Sequence, residues 1–225
     1  MTSTRRARRS RTRLVGIVAL VLGSLLSGGI SLGWWWTDLQ ARQNAHHLAD
    51  DAVRSWNSTS GDSWTTTSGD ERRTAAAAST PPSGVEGSVI AVVRSPRLGA
   101  DWRMPIQRGT GPQVLREGLG LYTGSPAPGA RGNVAVAGHR TTWGAPLKHL
   151  DRLRDGDLIT LWTPRDRFDY RVISAGATVP SDISVIQPMV AGGEAMLTLT
   201  TCHPEFSARE RLYVHAVLID SAKTG

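Results

Sequence analysis

The rhythm of hydrophobic and polar positions changes along the chain, and each change marks a segment. Residues 14 to 36, LVGIVALVLGSLLSGGISLGWWW, carry no charged side chain. At about 1.5 Å per residue this run extends roughly 34 Å, enough for a hydrocarbon core of about 30 Å, and it predicts a transmembrane helix. From Thr37 to about Arg54 helix formers continue without Gly or Pro, predicting a short membrane-proximal helix. From Ser55 to Gly84 the residues are mostly Ser, Thr, Gly, Asp and Ala. Such a stretch buries too little apolar area to offset its ordering entropy, and it predicts a flexible tether.

Beyond Val85 short apolar runs are separated by Gly, Pro and Asp signals, the spacing of an all-β domain. Six strands are expected: VIAVV (Val89 to Val93), NVAVAGH (Asn133 to His139), DLITLWT (Asp157 to Thr163), FDYRVISAGATV (Phe168 to Val179), MLTLTTC (Met196 to Cys202) and RLYVHAVLI (Arg211 to Ile219). One helical insertion is expected over Gly144 to Leu153, where Leu147, Leu150 and Leu153 recur every three residues. Mainly β structure of this length makes a barrel or a sandwich.

Charge adds the orientation of the apolar run. The formal charge is +7, but Arg5, Arg6, Arg8, Arg9, Arg11 and Arg13 precede Leu14 with no acid among them. Without those six the chain carries +1, no electrostatic footprint for a nucleic-acid backbone. Arginines at one end of an apolar helix keep that end cytoplasmic, and Trp34, Trp35 and Trp36 suit the opposite interface. Everything after Trp36 is then expected outside the cytoplasm. A cleaved signal peptide is the competing reading, but the run is longer than a typical signal core and no clear A-x-A site follows it.

Cys202 is the only cysteine, so no intramolecular disulfide forms and the domain relies on its core. Alternation along MLTLTTC puts Thr198, Thr200 and Cys202 on one face and Leu197, Leu199 and Thr201 on the other. A thiol on the polar face at a strand end suits a groove better than a core. Thiolate is the reactive form of cysteine, and a nearby cation favours it. Arg209 and Arg211 are candidates, and Arg211 is preferred because it opens the next strand, where it can also stabilise an oxyanion.

Among six histidines, His46 and His47 precede the tether, His149 falls in the expected helical insertion, His215 is mid-strand, and His203 points away from Cys202 if the strand continues. His139 ends a buried run after a glycine, a position that delivers a titratable group on a rigid element. One cysteine and scattered histidines lack the spacing of a zinc site.

TLTTC followed nine positions later by Arg211, with AGHR at His139 63 residues upstream, resembles the sortases, membrane-anchored cysteine transpeptidases of Gram-positive bacteria. The strings GNVAVAGHRTTWGAPLKHLDRL and TTCHPEFSARERLYVHAVL are most similar to class E sortases of actinobacteria. The resemblance runs from about Val85 to Asp220. It implies a mainly β fold, a closed barrel of about eight strands with short helices, preceded by a single transmembrane helix. The implied layout is a basic tail over 1–13, the membrane helix over 14–36, a membrane-proximal segment and linker over 37–84, and a catalytic domain over 85–220.

The resemblance further implies Cys202 as nucleophile, His139 as general acid/base, and Arg211 as the oxyanion and substrate-positioning residue. Ala137, Thr198 and Thr201 would line the groove for a sorting signal. Tyr122 would contact the signal from a Gly-Leu-Tyr-Thr-Gly stretch, where Leu121 replaces a common histidine. The implied reaction cleaves a C-terminal LAxTG or LPxTG signal between Thr and Gly and passes the protein to an amine of a cell-wall precursor or pilin. Implied partners are surface proteins with such signals, an amine acceptor and the membrane, not nucleic acid. Nothing resembling an acidic calcium site is visible, so no metal or cofactor is expected.

Two other classes compete. L,D-transpeptidases are also exported, but their cysteine usually follows a glycine, whereas Thr201 precedes Cys202 here. Papain-like proteases run Cys before His, the reverse of this order. A tethered, non-catalytic β domain that binds the wall or a protein partner would leave Cys202 inert.

Overall fold

The computed structural model describes residues 37–58, 84–188 and 193–223. The tail expected over 1–13 and the membrane run expected over Leu14 to Trp36 lie outside those residues, as does the expected tether apart from its first four residues and Gly84. Among the described residues no helix is long and apolar enough to cross a membrane. The β domain lies within one unit of the chain, Gln40–Gly225.

That domain is a closed barrel of eight strands, β1 (Val89–Arg94), β2 (Arg103–Arg108), β3 (Leu119–Leu121), β4 (Gly132–Ala137), β5 (Leu158–Trp162), β6 (Asp166–Thr178), β7 (Ala195–His203) and β8 (Glu210–Lys223). Around the barrel they run β1-β2-β3-β4-β7-β8-β6-β5, and β5 closes back on β1. Two neighbouring pairs are parallel, β2 with β3 and β4 with β7. The short helix α2 (Pro112–Glu117) makes the crossover of the first pair. Because β4 and β7 are parallel, their C-terminal ends lie at the same rim. β8 is antiparallel to β7, so its beginning returns to that rim as well.

The six expected strands are present as β1 and β4 to β8, with ends shifted by a few residues. Two strands were not legible in the hydrophobic pattern. β2, RMPIQR, has Pro105 in its interior, which argues against a central strand. Its pairing with β3 begins only at Ile106, so Pro105 sits where one side of the strand has no ladder to fill. β3 is three residues long with Gly120 at its centre, too short to show a period.

Alternation sends Val134, Val136, Leu197, Leu199, Leu212, Val214 and Ala216 into one apolar core, which they share with Ile106, Leu119, Ile159, Leu161 and Tyr170. Leu147, Leu150 and Leu153 join it from the segment expected to be helical, and all three are buried. That segment is a chain of i→i+3 turns, Lys148 to Ala145, Leu150 to Leu147, Arg152 to His149 and Leu153 to Leu150, with a 3-10 helix only over Leu150–Arg152. A recurrence of three matches a 3-10 period, where positions i and i+3 eclipse, better than the 3.6 of an α-helix.

The helix expected over 37–54 runs over 37–58 and is named α1. From Gln40 onward it belongs to the barrel's unit rather than to a separate linker. Ala41, Ala45 and Ala49, spaced by four, form its buried stripe, and Ala45 enters the core cluster. Small side chains let the helix lie close, and polar ties fix it there. Asp50 takes a two-pronged bond from Arg103, Nε to Oδ1 at 2.7 Å and Nη2 to Oδ2 at 2.9 Å, while Arg42 Nε donates to the Gly144 carbonyl at 2.9 Å.

Candidate active site

Cys202 stands directly opposite Arg211 in the antiparallel β7–β8 ladder. On its other side the β4–β7 ladder ends at Ala137 opposite Thr200. His139 and Cys202 each lie two residues beyond that pair, so parallel register carries both to the same level and the same face. The ladder is prolonged past its last pair by two bonds, Gly138 N–H to the Thr200 carbonyl at 3.1 Å and the Thr201 hydroxyl to the Gly138 carbonyl at 2.7 Å. Three adjacent strands therefore present His139, Cys202 and Arg211 in a row at one rim, with the thiol in the middle.

Gly138 is what lets β4 arrive there. A side chain at this position would point inward and collide with Leu119 and Leu147 of the core. Leu147 also anchors the following loop by donating its N–H to the His139 carbonyl at 3.0 Å.

Cys202, His139 and Arg211 are each partly exposed. Burial holds the His139 imidazole below its usual range, and the positive charge of Arg116 lowers it further. It is therefore mainly neutral at pH 7, ready to take a proton. Arg116 belongs to α2, and its guanidinium lies over the Trp143 ring at 4.7 Å from the centroid. Arg211 Nη1 donates to the carbonyls of Ala208 and Glu210, both at 3.1 Å. Those bonds orient the guanidinium through one nitrogen of its fork.

The outer face of β4, β7 and β8 continues away from the thiol. Thr198 is fully buried, and its hydroxyl donates to Asn133 Oδ1 at 2.7 Å. That hydroxyl has a single proton, so the contact at 2.8 Å to His215 Nδ1 is a bond donated by the imidazole. Burial holds His215 below its usual range, consistent with a neutral donor. Asn133 Nδ2 in turn donates to the Val185 carbonyl at 3.1 Å, tying the segment before β7 to β4.

Tyr122 leaves the end of β3, on the far side of β4 from β7, yet its hydroxyl meets Thr200 Oγ1 at 3.1 Å. To do so it spans the outer face of β4, where the intervening residues are Ala135 and Ala137. Small side chains there make room for the ring. Beyond Tyr122 lies a cavity of about 340 Å³ lined by Glu86, Arg108, Thr110, Thr123 and Ser125, among others; Cys202 does not line it.

The expected residues thus separate by face. Cys202, His139 and Arg211 come together, and Ala137, Thr198 and Tyr122 belong to the same outer surface, although Thr198 is already committed to Asn133 and His215. Thr201 is on the opposite face, 3% exposed, with its hydroxyl used on Gly138. Here it fixes the end of β4 rather than lining a groove. Asn133, His215 and Arg116 were not among the expected site residues. Alternation from Arg211 along β8 would have put Tyr213 and His215 beside Thr200 and Thr198, whereas Arg116 reaches His139 only through the fold.

A thiol at one barrel rim, opposite a guanidinium on the next strand and level with an imidazole just past β4, is the residue set of a cysteine enzyme. The sortase domain model matches residues 93–219, and the chain belongs to the sortase family. It is 29% identical over 223 residues to sortase SrtE1 of Streptomyces coelicolor, an alignment covering 93% of this chain and 57% of that relative. The chain thus spans just over half of that relative's length. Sortase E from Streptomyces avermitilis superposes with a TM-score of 0.57 at 39% identity, covering 62% of this chain and 93% of that structure. Sortase E1 from Streptomyces coelicolor, solved with a tripeptide in its active site, gives 0.56 at 30% identity over 61% and 91% of the two chains.

Proposed function

We propose that this protein is a membrane-anchored cysteine transpeptidase that cleaves a C-terminal LAxTG or LPxTG sorting signal between Thr and Gly and transfers the protein to an amine. The observation that carries this reading is the register at the barrel rim, with Cys202 opposite Arg211 on one side and level with His139 on the other. The tripeptide held in the active site of the Streptomyces coelicolor relative supports a peptide in the corresponding groove here.

The first acyl transfer joins Cys202 Sγ to the Thr carbonyl carbon while His139 accepts the thiol proton. Arg211 balances the charge that develops on the carbonyl oxygen. As the Thr–Gly bond breaks, the His139 imidazolium hands its proton to the departing glycine amine, leaving a thioester on Cys202. In the second transfer an incoming amine attacks the thioester. His139 takes the amine proton and returns it to the leaving sulfur. A resting imidazole held below its usual range suits both halves of this cycle, because each begins with proton acceptance.

The acceptor is an amine of a cell-wall precursor or a pilin lysine, and the clients are surface proteins carrying the signal. The basic tail would be cytoplasmic, residues 14–36 the anchor, 37–84 the membrane-proximal part and 85–220 the extracellular catalytic part. Anchoring enzyme, client and acceptor at one membrane face raises their effective concentration. The deciding experiment incubates the protein with LAxTG and LPxTG peptides and looks for a hydroxylamine-sensitive thioacyl mass shift. The adduct is expected with the parent and absent in Cys202→Ala, with large losses in His139→Ala and Arg211→Ala. A folded protein that forms no adduct with either peptide rejects the reading.

A further inference from the structure

His203 follows the thiol and Arg140 follows His139, and neither has a part in the acyl-transfer cycle. They nevertheless meet. Arg140 Nη1 lies 2.6 Å from His203 Nδ1, across 63 residues of sequence. Arginine has no acceptor, so it donates and Nδ1 accepts, which places the imidazole proton on Nε2. That nitrogen faces Glu210 Oε2 at 3.8 Å, the residue opposite His203 in the β7–β8 ladder. Arg140 is only 5% exposed, Nη2 sits 3.5 Å from Asp151 Oδ2, and Nε is buried without a partner. Burying a guanidinium with one donor unmet is costly, and the cost calls for a reason.

The reason lies in where the β4–β7 ladder stops. Its last backbone pair is Ala137 with Thr200, two residues short of His139 and Cys202. Beyond it, the strands are joined by the Thr201–Gly138 bond one residue before the reacting pair and by the Arg140–His203 bond one residue after it. The two rungs bracket His139 and Cys202 from the face opposite the groove.

We propose that Arg140, through its bond to His203, is a positioning residue that sets the distance between the His139 imidazole and the Cys202 thiol. This rests on the acyl-transfer reading above for its consequence in turnover, but the rung itself acts on the thiol whatever the substrate. Loss of the rung frees the segment after Gly138, and His139 drifts out of proton-transfer reach. Displacement of a reacting group by about 1 Å costs on the order of 100-fold.

The test uses the full-length chain, in which Cys202 is the sole cysteine and any alkylation reports on it. Iodoacetamide labelling rates and thioacylation by the LAxTG peptide are measured for Arg140→Leu, His203→Ala and His203→Asn, alone and with His139→Ala. Asn puts an acceptor oxygen near the lost Nδ1. Thioacylation should fall roughly 10- to 100-fold in Arg140→Leu and His203→Ala, in kcat rather than KM, and recover to within about threefold in His203→Asn. In the His139→Ala background the same substitutions should change either rate by less than about twofold, because the residue they position is gone.

Equal losses with and without His139, or parent-like rates in His203→Ala, overturn the proposal. If Arg140→Leu fails to fold, the two His203 variants at the rim decide it. If the parent forms no adduct with either peptide, the sortase reading fails, and labelling alone decides the rung. His139→Ala should then slow alkylation of the parent but not of His203→Ala, and an equal effect in both overturns it.

Discussion

The inner and outer faces of β4, β7 and β8 are made of alternate residues of one backbone and are largely withdrawn from water, yet different forces hold them. Inside, Val134, Val136, Leu197, Leu199 and Val214 are fully buried apolar side chains whose stabilisation scales with area. Outside, Asn133, Thr198 and Thr200 are at most 2% exposed and polar, and their burial is tolerable only because each is bonded, Thr198 to Asn133 and His215, Thr200 to Tyr122 and the Val136 carbonyl. The inner face is tolerant of shape within limits. The outer face is specified atom by atom, and it is the face that ends in Cys202.

The contrast breaks most visibly on the inner side. Leu199→Ala should lower stability by about 2–5 kcal/mol, the cost of lost transfer plus a cavity in a closed barrel. Denaturant unfolding measures this, and the thioacylation rate per folded molecule should change little. A large rate loss at full folding would mean that the core and the thiol are not separable.

On the outer side, Thr198→Val keeps volume but removes the hydroxyl between Asn133 Oδ1 and His215 Nδ1. Leaving those buried groups unpaired should cost about 1–3 kcal/mol. The loss should also raise KM for the peptide if the proposed signal lies along this face, because the Asn133 bond that ties the Val185 segment to β4 loses its support. A loss of stability with KM unchanged would confine this network to a structural role.

A smaller effect tests the charge around the rim. His139 is lowered first by burial and then by Arg116. Arg116→Gln removes only the second cause, so the His139 pKa should rise. The acid limb of kcat/KM, which reports protonation of the His139 imidazole that must accept the thiol proton, should move to higher pH. Trp143→Ala should shift it in the same direction by less, since it removes the ring over which Arg116 lies but keeps the charge. A limb that moves to lower pH, or stays put in Arg116→Gln, removes Arg116 from the site's electrostatics.

These differences also explain what could be read from the sequence. Strong period-two runs such as MLTLTTC and RLYVHAVLI announce their strands, and alternation alone put Cys202 on the polar face away from Leu197 and Leu199. Thr201 fell on the inner face by the same alternation, and its assignment to the groove came from family resemblance. β2 and β3 were silent because a proline, a glycine and a length of three residues erase the period. Arg116 and the Arg140–His203 rung depend on the parallel pairing of β4 with β7 and on the crossover through α2, which no local pattern encodes. The alanine stripe of α1 was invisible for a simpler reason: Ala41, Ala45 and Ala49 signal helix propensity but little hydrophobicity, so the segment read as part of a linker.

That helix supplies the smallest expected effect, at a covering element rather than at either face of the sheet. Its alanines bury little area, and its clearest tie is the two-pronged bond from Arg103 to Asp50, whose side chains are 39% and 37% exposed. Exposed pairs of this kind contribute about 0–1 kcal/mol even with good geometry, because water and salt screen them and long side chains lose freedom. Arg103→Gln should therefore lower stability by no more than about 1 kcal/mol, and the difference should shrink further at high salt. Thermal melts at two salt concentrations measure it, with the Cys202 alkylation rate as a control expected to stay constant. A loss approaching that of Leu199→Ala would show that the ion pair gates docking of the whole helix, and that α1 is as integral to the barrel as its inner leucines.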